Sequence, residues 1–210
     1  MKKKLLALLM VVVMATLTAC GGFSTEDAKD YVQATLDASY KGEFNAFVEV
    51  TDATMEESEQ MYNENIDNTM AQSGFGDLGL SEELVANYRQ LFIDLMKASK
   101  YTVGEATETD NGFAVEVTVE PLECFVGLEA DLTDVLMDKV MAMDTFPTDE
   151  EITVLSFECM YDLMLERLAA PAYGEATSVT VYISENADGE YEISDSDLMT
   201  LDSALFSMEM

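Results

Sequence analysis

The chain has 210 residues, 42 of them acidic and 10 basic, for a formal charge of −32, and it contains no histidine and no tryptophan. A polyanion of this kind is unsuited to nucleic acid or to anionic headgroups. Without histidine, neither Ser-His-Asp nor Cys-His nucleophile systems nor histidine metal sites can be built, while an apolar content of 49 % in strongly periodic segments excludes disorder.

The leader comes first. Lys2, Lys3 and Lys4 form a basic start, Leu5 to Met14 an apolar run too short for a comfortable transmembrane helix, and Leu17-Thr18-Ala19-Cys20 matches the bacterial lipobox. Small residues there fit a signal peptidase, and the Cys20 thiol takes a diacylglycerol. Residues 1–19 read as a signal peptide that is removed, and residues 20–23 as a lipidated tether. This implies a lipoprotein on the extracellular face of the cell membrane, held by two acyl chains where one would bind only marginally. Cleavage removes three lysines and no acid, leaving 7 basic and 42 acidic residues, a charge of −35. Gly21, Gly22 and Phe23 span about 10 Å at most, so the domain must sit against the membrane. Lys29 and Lys41 are accordingly expected on its membrane side.

Ser24-Thr25-Glu26-Asp27 reads as a capping box opening a helix with Ala28, Tyr31, Val32, Leu36 and Tyr40 inward, stopped by Gly42. A short helix with Phe44, Phe47 and Val48 follows. A third opens at Thr54-Met55-Glu56-Glu57 and carries Tyr62, Ile66 and Met70. Ser81 caps the clearest helix, in which Leu84, Val85, Tyr88, Leu91, Phe92, Leu95 and Met96 keep the i, i+3, i+4 spacing. The period then changes to two. Tyr101 to Thr107 runs into the turn Asp110-Asn111-Gly112, and Phe113, Val115, Val117 and Val119 return until Pro121. Helices are predicted over 128–143, with Leu128, Leu132, Val135, Leu136 and Val140 on one face, and from Thr148 to just before Pro171. A second hairpin alternates Val179, Val181 and Ile183, turns at Asp188-Gly189 and returns through Tyr191 and Ile193. A last helix carries Leu198, Leu201 and Leu205.

The order predicts an α+β fold, with an antiparallel sheet built from two hairpins and amphipathic helices packed on one face. Residues 24–210 read as a single domain. Gly-Glu-Ala-Thr occurs at 104–107 and 174–177, each at the head of a hairpin, which suggests two similar helix–hairpin halves, 24–122 and 123–210.

Chemistry-bearing constellations are few. No Ser-x-x-Lys nucleophile stands near a supporting motif, and there is no Walker loop or GxGxxG. With 42 acids a carboxylate pair suited to glycoside hydrolysis is uninformative. Asp188-Gly189 and Asp195-Ser196-Asp197 do not fit a calcium loop. No cofactor and no metal site is expected. Met137, Met141 and Met143 cluster; thioethers bind Cu(I) and adapt to varied partners, but methionines on amphipathic helices usually fill a core. Cys124 and Cys159, the cysteines left after lipidation, can pair in an oxidising exterior or remain two buried thiols.

The leader, the segment Tyr31 to Phe44 (YVQATLDASYKGEF) and the hairpin from Lys100-Tyr101-Thr102-Val103 to Val119-Glu120-Pro121-Leu122 resemble a family of Gram-positive lipoproteins that share a conserved extracellular domain of unknown function. The resemblance implies an anchored α+β domain similar to cystatin-like or nuclear-transport-factor-like folds. It carries no catalytic residues.

These readings converge on a non-enzymatic surface lipoprotein that binds a small apolar ligand or a protein. A ligand pocket would be lined by Phe113, Val115, Val117, Val179 and Val181. A structural or regulatory envelope component, acting through protein contacts, would instead show an exposed apolar patch and no cavity. A carboxylate-dependent hydrolase is the third class.

Overall fold

The structure is a computed structural model that describes residues 17–18, 22–75, 78–186 and 190–207. Cys20, with Gly21, and the turn Asp188-Gly189 lie outside the described residues.

Most helices start where a side chain satisfies the orphan amides of the first turn. In α1 (Thr25–Leu36) the Ser24 hydroxyl accepts from the Asp27 amide at 3.2 Å, and Asp27 accepts from the Ser24 amide at 2.9 Å. Thr54 with Glu57 and Thr148 with Glu151 repeat this box at α3 (Met55–Ser73) and α6 (Asp149–Ala169). Ser81 caps α4 (Glu82–Lys97). The first helix runs on as a π-helical turn, Asp37–Lys41, and stops at Gly42, whose φ of +67° is a left-handed conformation that disfavours a side chain. The short α2 (Asn45–Val50) buries Phe47 completely.

Strand β1 (Leu17–Thr18) is a two-residue piece of the segment read above as a leader. Strands β2 (Lys100–Thr109), β3 (Gly112–Glu120), β4 (Thr177–Glu185) and β5 (Glu190–Ile193) complete an antiparallel sheet in the order β1-β5-β4-β3-β2. Two hairpins are therefore joined through β3 and β4, with Val115 opposite Val181 and Val117 opposite Val179. At Gly112 a Cβ would come within 2.0 Å of the Ile183 carbonyl oxygen, so the turn into β3 admits only glycine. Leu17 and Thr18 pair with Tyr191 and Glu190 because the outer edge of β5 presents unsatisfied backbone groups to any extended segment. Cleavage before Cys20 would remove β1 and leave four strands.

Alternation sorts the sheet's faces. Phe113, Val115, Val117, Val119, Val181 and Ile183 point to one side and are at most 5 % exposed, whereas Glu116, Thr180 and Tyr182 on the other are exposed. Helix α1 crosses the buried face against β2 and β3, and α7 (Asp195–Leu205) crosses it against β3 and β4. Ala28, Val32 and Leu36 from α1 meet Leu198, Leu201 and Leu205 from α7 in the same core cluster.

Three expectations need correction. The proposed pocket lining is core: Phe113, Val115, Val117 and Val181 are buried in that cluster and Val179 is packed against its margin. Helices laid over a valine-rich sheet close the space a ligand would need. The two Gly-Glu-Ala-Thr segments take different places, since Gly104 sits at the bulge between Val103 and Ala106 inside β2, whereas Gly174 lies in the coil before β4. The lysines also separate. Lys29 stays one turn from the N-terminus, paired with Glu105 at 2.5 Å, but Lys41 lies about 25 Å along the helix axis. There its ammonium donates to the Lys97 carbonyl at 2.7 Å and to the Ser99 carbonyl, which ties the far end of the first helix to the end of α4.

Candidate functional site

Helix α5 (Leu128–Met141) forms where its periodicity predicts, yet none of its residues is buried. It packs against α6, and α6 in turn packs on α4. The join to α4 is aromatic: the rings of Phe75, Tyr88 and Phe157 meet tilted or edge-on with centroids 4.8–5.9 Å apart, and the Tyr88 hydroxyl donates to the Phe157 carbonyl at 2.6 Å. At its root the hairpin is held by Arg167, whose guanidinium donates to the Cys124 and Val126 carbonyls at 2.7 and 2.8 Å and to Asp131 at 2.5 Å. That root follows Leu122, at the end of β3 away from Phe113 and the N-terminal Phe23.

The free side of the hairpin carries exposed apolar side chains among its acids. Met137, Met141 and Met143 are 51, 75 and 44 % exposed, and Phe146 in the α5–α6 turn is 82 % exposed. The reading of these methionines as core filler is thereby overturned: Met137 and Met141, four residues apart, form an uncovered stripe. The stripe leads to a groove of about 1030 Å³ between that turn and the α3–α4 connection. Leu78, Met143, Pro147, Val154 and Leu155 supply its apolar lining, and Asp144, Glu150, Glu151 and Glu158 its carboxylates. A smaller groove of about 490 Å³ lies between α3 and α4, where Arg89 is bound to Asp67 at 2.7 Å and to Asn63 at 3.0 Å.

A second group of polar side chains is buried or half-buried around Tyr40. Burial pushes Asp202 up to about 7, against the lowering effect of the Tyr40 hydroxyl, and its Oδ1 is buried without a hydrogen-bond partner among the described residues. Tyr40 is raised well above the usual phenol range, mainly by burial. The Tyr101 hydroxyl donates to Asp37 at 2.6 Å, and burial, with Asp37 beside it, raises Tyr101 too. Burial lowers Lys41, and Asp37 and Glu43 oppose that shift. Neither groove is lined by any of these residues. Lys41 lies over the Tyr101 ring at 5.4 Å, and the Tyr40 and Tyr101 rings are 5.9 Å apart.

Cys124 and Cys159 are both buried and both free, and burial pushes the Cys124 thiol up to about 12. Among the described residues no group of three or more acids or cysteines is placed to hold a metal ion, and no helix is long and apolar enough to cross a membrane. Phe23, read above as part of a tether, is packed against the sheet. Phe23 stacks on Tyr191 at 4.5 Å and stands edge-on to Phe113 at 5.2 Å, which fixes it to the sheet.

No family model matches the sequence, and no curated protein matches it. Among solved structures, the crystal structure of a candidate lipoprotein (ycdA) from Bacillus subtilis subsp. subtilis str. 168 is similar, with a TM-score of 0.60 and 17 % identity. The likeness covers 86 % of this chain and 56 % of that one, so this chain spans little more than half of that protein's length. That likeness shows the fold. The two molecules share an arrangement of helices on an antiparallel sheet.

Proposed function

We propose that the chain is a non-enzymatic lipoprotein, anchored through Cys20 on the outer face of the cell membrane, that works by holding a protein partner on the tip of the α5–α6 hairpin. The observation that carries the reading is the uncovered apolar stripe ending at Phe146, 82 % exposed. Large exposed apolar patches are rare on proteins that act alone and mark interaction surfaces. The lipobox supports the address, as does a fold shared with a candidate lipoprotein. The closed valine core speaks against a small apolar ligand in the sheet.

A photo-crosslinking amino acid placed at Phe146, with a second chain labelled at exposed Tyr182 as reference, tests the reading in intact cells that express the protein. A discrete adduct in the membrane fraction is expected from position 146 and not from position 182. In a Cys20→Ser chain that adduct should leave the membrane fraction. Absence of any adduct at 146 would refute the partner reading, and unchanged membrane retention of Cys20→Ser would refute the anchor.

A further inference from the structure

The hairpin's charge says what kind of partner fits. Residues 128–169 hold 11 acidic and 2 basic side chains, a net charge of −9. Both basic groups are engaged, Lys139 beside Asp162 at 3.8 Å and Arg167 at the root of the hairpin. Among the described residues no basic side chain lines the groove. Among its carboxylates Glu151 is used in the Thr148 capping box, which leaves Asp144, Glu150 and Glu158 beside an apolar floor. A second copy of the chain would bring the same carboxylates face to face, and an anionic membrane surface would be repelled in the same way. The tip also offers no unpaired strand edge, so an extended segment would gain no backbone hydrogen bonds there. A helix satisfies its own backbone and brings a stripe of side chains to an apolar trough, and the flexible thioethers of Met137, Met141 and Met143 can mould to it.

We propose that the carboxylate-rimmed groove at the tip of the α5–α6 hairpin, lined by Met143, together with the adjoining exposed side chains Met137, Met141 and Phe146, binds a basic amphipathic helix of its partner, apolar face down and lysines or arginines toward Asp144, Glu150 and Glu158. This rests on the reading of the tip as a partner surface.

The test uses the full chain in phosphatidylcholine nanodiscs, with empty discs as reference, and a fluorescein-labelled leucine–lysine peptide whose leucines fall at i, i+3, i+4 spacing. A scrambled peptide of the same composition and a leucine–glutamate peptide complete the probe set. Fluorescence anisotropy should show binding of the patterned lysine peptide alone. Met141→Glu with Phe146→Glu should weaken it by about tenfold or more. Asp144→Asn with Glu158→Gln should weaken it about threefold and flatten its salt dependence. All four positions lie on the surface, so far-UV circular dichroism should be unchanged and a loss of binding is a loss of contact. Equal binding of the scrambled peptide, or binding that either pair of substitutions leaves intact, would overturn the proposal. Self-association that the Met141→Glu, Phe146→Glu pair abolishes would assign the tip to a second copy and overturn it. Protection of Met141 from peroxide in discs without peptide would assign the tip to lipid and overturn it. If the peptides fail while the Phe146 adduct forms in cells, the basic-helix proposal falls and the partner reading stands.

Discussion

Replacing Asp202 with asparagine isolates one buried charge and predicts a pH-dependent gain in stability. Asp202 lies on α7 against Tyr40, with one oxygen buried and unpartnered among the described residues, and its folded value of about 7 compares with an ordinary 3.8. The folded state therefore holds a proton that the unfolded state releases earlier. The stability linked to this proton is complete below about pH 4 and is lost as pH rises to 7. Roughly three pH units correspond to about 4 kcal/mol. Asp202 is partly accessible, which reduces the effect to about 2–3 kcal/mol. The amide of the Asp202→Asn variant has no such proton to lose. Urea unfolding of the two proteins, followed by circular dichroism from pH 4.5 to 8, should show the variant gaining on the parent by about that amount across the range. The capping carboxylates Asp27, Glu57 and Glu151, all lowered by their hydrogen bonds, lose stability only as pH falls through the acid range, and equally in both proteins. Parallel pH profiles for parent and variant would refute the reasoning.

Phe47, fully buried on α2, should cost about 3–5 kcal/mol as Phe47→Ala, measured by the same unfolding assay. The pair Met141→Glu, Phe146→Glu should leave stability within about 0.5 kcal/mol of the parent, because both side chains face solvent. Cys124 and Cys159 should resist a thiol reagent in the folded protein and both react in denaturant without reductant, whereas a disulfide would yield neither.

Much of the fold was legible because its signals are local. Ser24, Thr54, Ser81 and Thr148 cap where their patterns predict, Gly42 and Gly112 stand where the backbone needs them, and the alternation of Phe113 to Val119 and Val179 to Ile183 assigns both hairpins and their buried face. The candidate site was not legible, because periodicity says that a helix has an apolar face and not whether the chain covers it. Helix α5 has the same kind of pattern as α4, but α4 packs between the first helix's π-turn and α6 while α5 packs on α6 and on the other side meets solvent. The strongest hint in the sequence was Met137, Met141 and Met143, whose ordinary role as core filler concealed their exposure. Lys41 and Phe23 were misplaced for a different reason: their partners, the Ser99 carbonyl and the Tyr191 ring, are distant in sequence and are brought near only by the tertiary fold.

Methionine oxidation on intact cells tests the interaction surface most directly. Peroxide converts accessible thioethers to sulfoxides, and mass spectrometry reads each position. In the purified protein Met141, 75 % exposed, and Met199 on α7, 51 % exposed, should both oxidise readily. On the cell, a partner seated on the hairpin tip should protect Met141 and leave Met199 as reactive as before. Equal reactivity of Met141 in the two settings would contradict the account.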